Sequence, residues 1–348
     1  MKKIILLLIS FILTTISFSQ VTLSYKNNAL LPGDSNTYRE IQYVSPGNSG
    51  PNQIWDFSKI QFNGKTLTSR LSLTPSRSLN GVGEYNVLLD ENEYEYFFNI
   101  KENIFEEKGC VSKDFAIVYS DPIVKMKYPF SFGDQINDKF SAVAFFQENV
   151  KIDITGDYSV TADAYGTLIL PDRSINDALR VKIERKGLEI NMCSSTETES
   201  VRYLWYVPGL RYPVLSISTN QYQTSGQEPK ITQIAYLNPQ SPTNGNSITN
   251  VNEPTDPTDN FDVPVIVYPN PFNEKVSYRY FLRKQLTVDI DLYDISGKNS
   301  IHLVKKQIES EGVHTGELDA SLYGLTPGVY YIRFIFDKKV VIRKIVKV

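Results

Sequence analysis

The sequence predicts an all-β chain: a large β-sandwich or barrel-like domain followed by a small seven-stranded sandwich. Three observations carry that expectation. The 348 residues include 22 Tyr and 18 Phe, side chains that suit a pleated, half-buried surface. Short β-prone runs recur along the chain with Pro, Gly, Asn and Asp between them. No amphipathic stripe longer than three helical turns interrupts them. Hydrophobic residues at 41% and charged residues at 22% exclude disorder of the chain as a whole.

The first element is a targeting segment. Lys2 and Lys3 precede the uncharged apolar run from Ile4 to Phe18, which is short for a membrane span and has the layout of a signal peptide. Ser17 and Ser19 place small residues before a cut at Ser19–Gln20. Residues 1–19 are therefore read as a leader passed through the Sec translocon, and everything from Gln20 on as exported. Export permits a disulfide between Cys110 and Cys193, the only two cysteines. Closing that loop would stabilise by about 4–5 kcal/mol on the chain-entropy model. Two separate buried thiols are the alternative.

Residues 20–237 contain the runs Thr66–Leu73, Tyr85–Leu89, Tyr94–Ile100, Phe115–Tyr119, Val150–Ile154, Gly166–Leu170, Ala178–Ile183, Arg202–Val207 and Val214–Ser218. Many short strands with frequent turns predict a sandwich or barrel. Residues 238–264 are rich in Pro, Asn, Thr, Ser and Asp; such a segment buries too little to offset its ordering entropy and reads as a linker.

Residues 265–348 are the most legible region. Leu286, Val288, Ile290 and Leu292 alternate with Thr287, Asp289 and Asp291, which predicts a strand with one dry and one wet face. Adding Ile266–Tyr268, Val276–Phe281, Ile301–Val304, Val313–Leu318, Val329–Phe336 and Val340–Val346 gives seven strands, the number of an immunoglobulin-like sandwich. Pro269 and Pro271 set an extended approach, and Gly297 and Gly328 are expected in tight turns.

Charge is uneven. Residues 264–348 carry 13 Lys and Arg against 9 Asp and Glu, a net of +4, and the leader adds +2. The formal −3 of the chain therefore leaves −9 on residues 20–263. This argues against nucleic acid as a partner. The basic terminus, with Lys338, Lys339, Arg343, Lys344 and Lys347, reads as a solvated strand face or a dock for an acidic partner.

A family resemblance follows from four motifs in order. They are Tyr268-Pro269-Asn270-Pro271-Phe272, Asp294-Ile295-Ser296-Gly297-Lys298, Leu325-Thr326-Pro327-Gly328-Val329-Tyr330-Tyr331-Ile332 and the terminal Lys344-Ile345-Val346-Lys347-Val348. Together they resemble the C-terminal sorting domain of type IX secretion, type A. The resemblance implies a Bacteroidetes-type bacterium, passage through the periplasm and export by the type IX machinery. It also implies removal of the domain by a surface sortase-like peptidase, with attachment of the cargo to an anionic lipopolysaccharide or release. The stretches Gly50–Ser58, Tyr128–Asp134 and Thr161–Pro171 resemble secreted proteins that carry the same sorting domain. That supports one domain across 20–237 and names no activity.

Histidine is confined to His302 and His314, so residues 1–301 hold no Ser-His-Asp or Cys-His pair and no His-ligated metal. No cofactor is predicted. Carboxylate chemistry survives that count. Glu91, Glu93 and Glu95 alternate as if on one strand face, as a glycosidase half-site or, the preferred reading, a charged edge that discourages aggregation. Asp134, Asn137 and Asp138 offer oxygen ligands without EF-hand spacing, and Asp163 reads as a turn residue. Trp55 and Trp205, with Tyr203, Tyr206 and Tyr212, are read as core rather than as a sugar-stacking strip. Two functions remain. The preferred one is a non-catalytic binding, adhesion or structural surface module, with glycans among its partners. The other is a secreted carboxylate-dependent hydrolase acting on glycans or other polymers.

Overall fold

A computed structural model describes residues 21–348 except 80–82, 102, 147–149, 193, 241–262, 296 and 298–299. The all-β expectation holds, and the large domain is a barrel. Its elements begin with β1 (Thr22–Leu23), the single-turn α1 (Tyr25–Asn28), β2 (Ser35–Ile41), β3 (Gly50–Asp56), β4 (Phe62–Leu79), β5 (Gly83–Glu91), β6 (Tyr94–Lys101) and β7 (Ile104–Val111). They continue with β8 (Phe115–Lys127), β9 (Phe130–Ser131), β10 (Gln135–Phe146), β11 (Val150–Ile169), β12 (Ser174–Ile190), β13 (Ser195–Tyr206), β14 (Leu215–Thr224) and β15 (Lys230–Leu237).

Setting aside β1, β3 and β9, the strands pair antiparallel in chain order from β2 to β15, and β15 returns to β2. That is an up-and-down closed barrel of twelve strands. The closing seam is short: Ala235, Tyr236 and Leu237 oppose Ile41, Glu40 and Arg39. Several strands are longer than their sequence runs. Val150–Ile154 and Gly166–Leu170 belong to one continuous β11, bulged between Ala162 and Ala164. Gly166 lies there because parallel β3 crosses close by. A Cβ on it would stand 1.9 Å from the Gln53 carbonyl oxygen, far inside contact distance, so the position excludes side chains.

Alternation sorts the side chains. Leu204, Tyr206, Ile183 and Arg185 face the lumen. The intervening Lys182, Glu184, Lys186 and Glu199 form ion pairs on the outside. One outer wall is covered by β3 and its flanking loops, which pack Trp55, Phe57 and Ile60 on Trp205, Leu215 and Ile217. Trp55 and Trp205 meet edge to face at 5.7 Å, so both tryptophans are core, as expected.

Residues 21–34 stopper one mouth. The Asn28 amide donates to the Val207 and Leu210 carbonyls at 3.2 and 2.9 Å, and Leu23 is fully buried. Leu31-Pro32-Gly33-Asp34 then turns, with the Asp34 carboxylate accepting from the Leu31 N–H at 2.7 Å. Gly33 takes φ +91°, the left-handed region that this turn type reserves for glycine. A Cβ there would stand 3.3 Å from Pro264.

The C-terminal domain supplies β16 (Val265–Tyr268), β17 (Lys275–Leu282), β18 (Leu286–Asp294), β19 (Ser300–Glu309), β20 (Gly312–Asp319), β21 (Gly328–Phe336) and β22 (Lys339–Lys347). Sheet β16-β17-β20 and sheet β19-β18-β21-β22 enclose one core that includes Val276, Leu282, Ile290, Leu292, Phe334 and Ile345. All seven sequence runs are strands. One detail departs from the reading: Asp291, assigned to the wet face, is buried. The Arg333 guanidinium and His302 Nδ1 reach it at 2.7 and 2.6 Å. Burial opposes ionisation of Asp291, and these partners more than offset it, so its pKa lies below the usual carboxylate value.

The two domains share a small core. Phe281 packs with Ala29, Leu31 and Leu73, with Ile266 and Val313 around them. Inside this contact Arg283 donates to Asp34 at 2.8 Å and to the Pro32 carbonyl at 3.1 Å. Arg279 donates to the Thr74 carbonyl at 2.9 Å. Asp34 is therefore a buried carboxylate whose main cation comes from the other domain. Asp34→Ala should lower the unfolding free energy of the chain by about 3–5 kcal/mol, because it strands a buried guanidinium. Urea denaturation of residues 20–348 reads it; a loss under about 1 kcal/mol would mean that water replaces the carboxylate there.

Candidate functional site

Two places in the molecule hold functional geometry: the barrel lumen and the terminal strand. The lumen encloses about 340 Å³, at the lower end of ligand-pocket volumes. Its wall is aromatic, with Tyr38, Tyr96, Phe98, Phe105, Tyr206 and Tyr236 among the lining side chains. Phe98 and Phe105 stack at 4.4 Å. Burial pushes the hydroxyls of Tyr38, Tyr96, Tyr206 and Tyr212 well above the ordinary tyrosine value, so they act as neutral hydrogen-bonding groups. The Tyr158 and Tyr212 hydroxyls are buried with no hydrogen-bond partner among the described residues.

Charged groups break this wall. Glu107 on β7 pairs with Lys125 on β8 at 3.0 Å. Burial alone would lower the Lys125 pKa, but the Glu107 carboxylate outweighs it and the ammonium is held charged. Lys125 also sits over the Tyr158 ring at 5.3 Å. Glu91 accepts a hydrogen bond from the Ser69 hydroxyl. Arg185 lies over Phe140 at 4.5 Å. Arg202 donates from Nε to Ser218 Oγ at 3.2 Å and is exposed although it lines the lumen, so water reaches the interior.

The residues singled out for chemistry are dispersed by the fold. Glu91, Glu93 and Glu95 do not share a strand face. Glu91 ends β5, Asn92 and Glu93 form a hairpin turn with φ +53° and +67°, and Glu95 follows Tyr94, the first residue of β6. Positive φ at both central positions is the two-residue turn that matches strand twist. Only Glu91 faces the lumen. Asp163 is not a turn residue. It sits at the β11 bulge and grips Arg180 through two hydrogen bonds of 2.8 and 2.7 Å, beneath Trp55, Tyr203 and Trp205. Asp134 caps Ser131 N–H at 2.7 Å and Asp138 caps Val124 N–H at 3.2 Å. Each is thus spent on its own backbone contact. Among the described residues no group of three or more His, Cys, Asp or Glu is placed to hold a metal. Glu189 and Glu311, whose carboxyl pKa values burial raises, stand outside the lumen lining. Cys110 is buried on β7 and burial pushes its thiol up to about 12. Cys193, and the cleavage residues Ser19 and Gln20, lie outside the described residues.

At the other site the terminal motifs converge. The peptide bonds before Pro269 and Pro271 are both cis, and the loop they shape sets Asn270 against the last strand. The Asn270 amide donates to the Lys344 carbonyl at 2.8 Å, and its oxygen accepts from Val346 N–H at 2.9 Å. Phe272 N–H then reaches the Val346 carbonyl, and Val348 N–H the Phe272 carbonyl, each at 2.9 Å. The first and last motifs are thus one clamp on β22. Gly297 closes a turn on the Asp294 carbonyl at 3.0 Å. Leu325 packs on the sandwich core, and the Tyr330 hydroxyl donates to the Thr326 carbonyl at 2.9 Å. Gly328 is in no turn; it opens β21 opposite Lys347, and the turn lies upstream at Ser321–Gly324, where the Gly324 N–H reaches the Ser321 carbonyl at 3.3 Å. Of the basic residues, Lys344 and Lys338 are exposed. Arg343 is tied to the Val265 carbonyl and Lys347 to the Val348 carbonyl.

Residues 266–348 match the family model described as a secretion system C-terminal sorting domain. The chain ends in a type IX sorting domain. Such a tail sends the chain to the cell surface or the medium and implies contact with the type IX machinery. No curated protein and no solved structure matches the chain. Within the sorting domain, Asn270→Ala removes two hydrogen bonds to β22. Exchange of the Val346 amide should then accelerate about tenfold, for ~1.4 kcal/mol of lost local stability. Hydrogen exchange followed by mass spectrometry reads it, and unchanged protection would deny the clamp.

Proposed function

We propose that residues 20–237 are an exported, non-catalytic binding module whose ligand occupies the barrel lumen, and that the sorting domain delivers it outside the cell. The observation that carries the reading is a solvent-reached cavity of about 340 Å³ inside a closed barrel. Aromatic rings wall it, and its two carboxylates are already engaged by Lys125 and Ser69. A packed structural barrel would fill that space with side chains. In this reading residues 1–19 are the cleaved leader of the Sec route and the sandwich is immunoglobulin-like. A surface sortase-like peptidase and an anionic lipopolysaccharide complete the sorting route, with Lys338 and Lys344 as the exposed cations. The hydrolase alternative is disfavoured, since it would place an opposed carboxylate pair in a cleft.

Two experiments test the two halves. Removing residues 264–348 should leave the cargo inside the cell envelope; normal arrival at the surface would overturn the delivery half. For the lumen, the neutral fluorophore N-phenyl-1-naphthylamine should bind the mature chain with enhanced emission. Ser216→Trp, which places an indole in the lumen from β14, should abolish that binding. Retained binding in a folded Ser216→Trp protein would overturn the lumen half.

A further inference from the structure

We infer that the lumen takes an amphipathic monoanion, an aromatic or apolar body bearing one carboxylate-class acid group, with that group held by Arg202. The inference rests on the lumen reading above and deepens it.

The charge balance of the cavity carries the argument. Six charged side chains line it: Glu91 and Glu107 against Lys125, Arg185, Arg202 and Arg211. The interior is therefore net positive inside a cargo region that is net negative. Most of these groups are committed. Lys125 neutralises Glu107 at 3.0 Å. Arg211 donates to the Ala29 carbonyl at 2.6 Å and lies 3.9 Å from Asp34, within the stopper. Glu91 is held by Ser69. Arg185 rests on the Phe140 face and reaches Thr198 Oγ1 at 3.4 Å.

Arg202 is set apart from Arg185, the other lumen arginine without an ion pair among the described residues, by its exposure to the solvent through which a ligand arrives. Its one hydrogen bond uses Nε and a neutral hydroxyl, Ser218 Oγ at 3.2 Å. It forms no ion pair among the described residues, and the rest of its guanidinium fork is left for a ligand. A guanidinium at this solvent-reached site takes a carboxylate, sulfonate or sulfate through two charge-assisted hydrogen bonds at once, because its planar fork matches a pair of oxygens. The walls around it are rings: Tyr96, Tyr206 and Tyr236 lie close enough for its charge to be felt at their hydroxyls. Such rings accept an apolar or aromatic body and offer hydroxyls to its acid group. With residues 21–34 closing one mouth, the ligand enters through the other, on the side of the Asn92–Glu93 hairpin.

The test uses two fluorophores on one ring frame, bound to residues 20–348. 1-Anilinonaphthalene-8-sulfonate carries an anion; N-phenyl-1-naphthylamine lacks it. The anion should bind at least about tenfold tighter, the scale of one charge-assisted hydrogen-bonded pair. Arg202→Gln should erase most of that preference while leaving the neutral probe within about twofold, which also reports that the variant is folded. Ser218→Asp, which puts an internal carboxylate opposite Arg202 in the β13–β14 register, should do the same by a different route. Equal affinity of the wild type for both probes, or an unchanged preference in both variants, overturns the anion assignment and leaves the lumen reading standing. Binding of neither probe overturns both.

Discussion

The pairing of β15 with β2 is the constraint on which the rest of the molecule depends. It joins the first long strand of the chain to the last strand of the barrel through three residue pairs. Every other barrel contact joins strands that follow one another in chain order, with only β3 between β2 and β4 and β9 between β8 and β10, so most form across a short loop with little closure entropy. The β2–β15 seam must instead bring together segments separated by the whole domain. Once made, it removes both sheet edges at once and turns a twisted meander into an enclosed lumen. It also fixes Asp34, just before β2, beside the mouth from which the linker departs after Leu237. The stopper, the lumen and the place where the sorting domain docks all follow from that one closure.

The partition of side chains shows what sort of barrel this is. The lumen is ringed by Tyr and Phe, and the outward row carries ion pairs such as Lys186–Glu199 and Lys151–Asp153. A barrel that spans lipid reverses this, with an apolar band outside and a polar interior. The polar exterior suits a protein handed across an envelope and left in water. The aromatic interior is then available for a ligand rather than consumed by packing, apart from the stoppered end where Leu23, Phe130 and Ile136 fill the space.

How much of this the sequence discloses depends on whether local alternation decides the structure. In the sandwich it does: the residues from Leu286 to Leu292 alternate in sequence, the apolar face packs on the core with Asp291 the one buried exception on the other, and all seven strands were legible. In the barrel, both faces of several strands are apolar or aromatic, because β3 and its loops cover the outside of one wall. Arg202-Tyr203-Leu204-Trp205-Tyr206 thus carries no mark of which side is the lumen. The Arg180–Asp163 grip was hidden because its partners meet across a bulged β11–β12 register that only the full ladder sets. The hairpin at Asn92–Glu93 lacks glycine, so its three alternating glutamates read as one strand. A usable signal did exist for the site. Arg202 faces Ser218 across the ladder, and a lone arginine opposite a serine at an inward position is a polar pair without a counter-charge.

The sorting domain is more than an address label on a linker. Its Arg283 is the nearest cation to Asp34, its Phe281 covers Leu31 and Ala29, and Pro264, the last linker residue, sits against Gly33. All three barrel partners belong to the segment that stoppers the lumen. Asp34 is also the residue whose carboxylate holds the Leu31–Asp34 turn and whose backbone pairs with Leu71 at 2.8 Å. Attached, the sorting domain neutralises that carboxylate and adds apolar cover to the stopper. Detached, it would leave Asp34 with Arg211 at 3.9 Å as its remaining cation and expose Leu31 and Leu73 to water. Opening free energies of local segments scale with the buried apolar contacts that hold them. The stopper is therefore stiffer in the full chain than in the cargo alone, and the delivery domain and the stoppered end of the barrel are mechanically one unit.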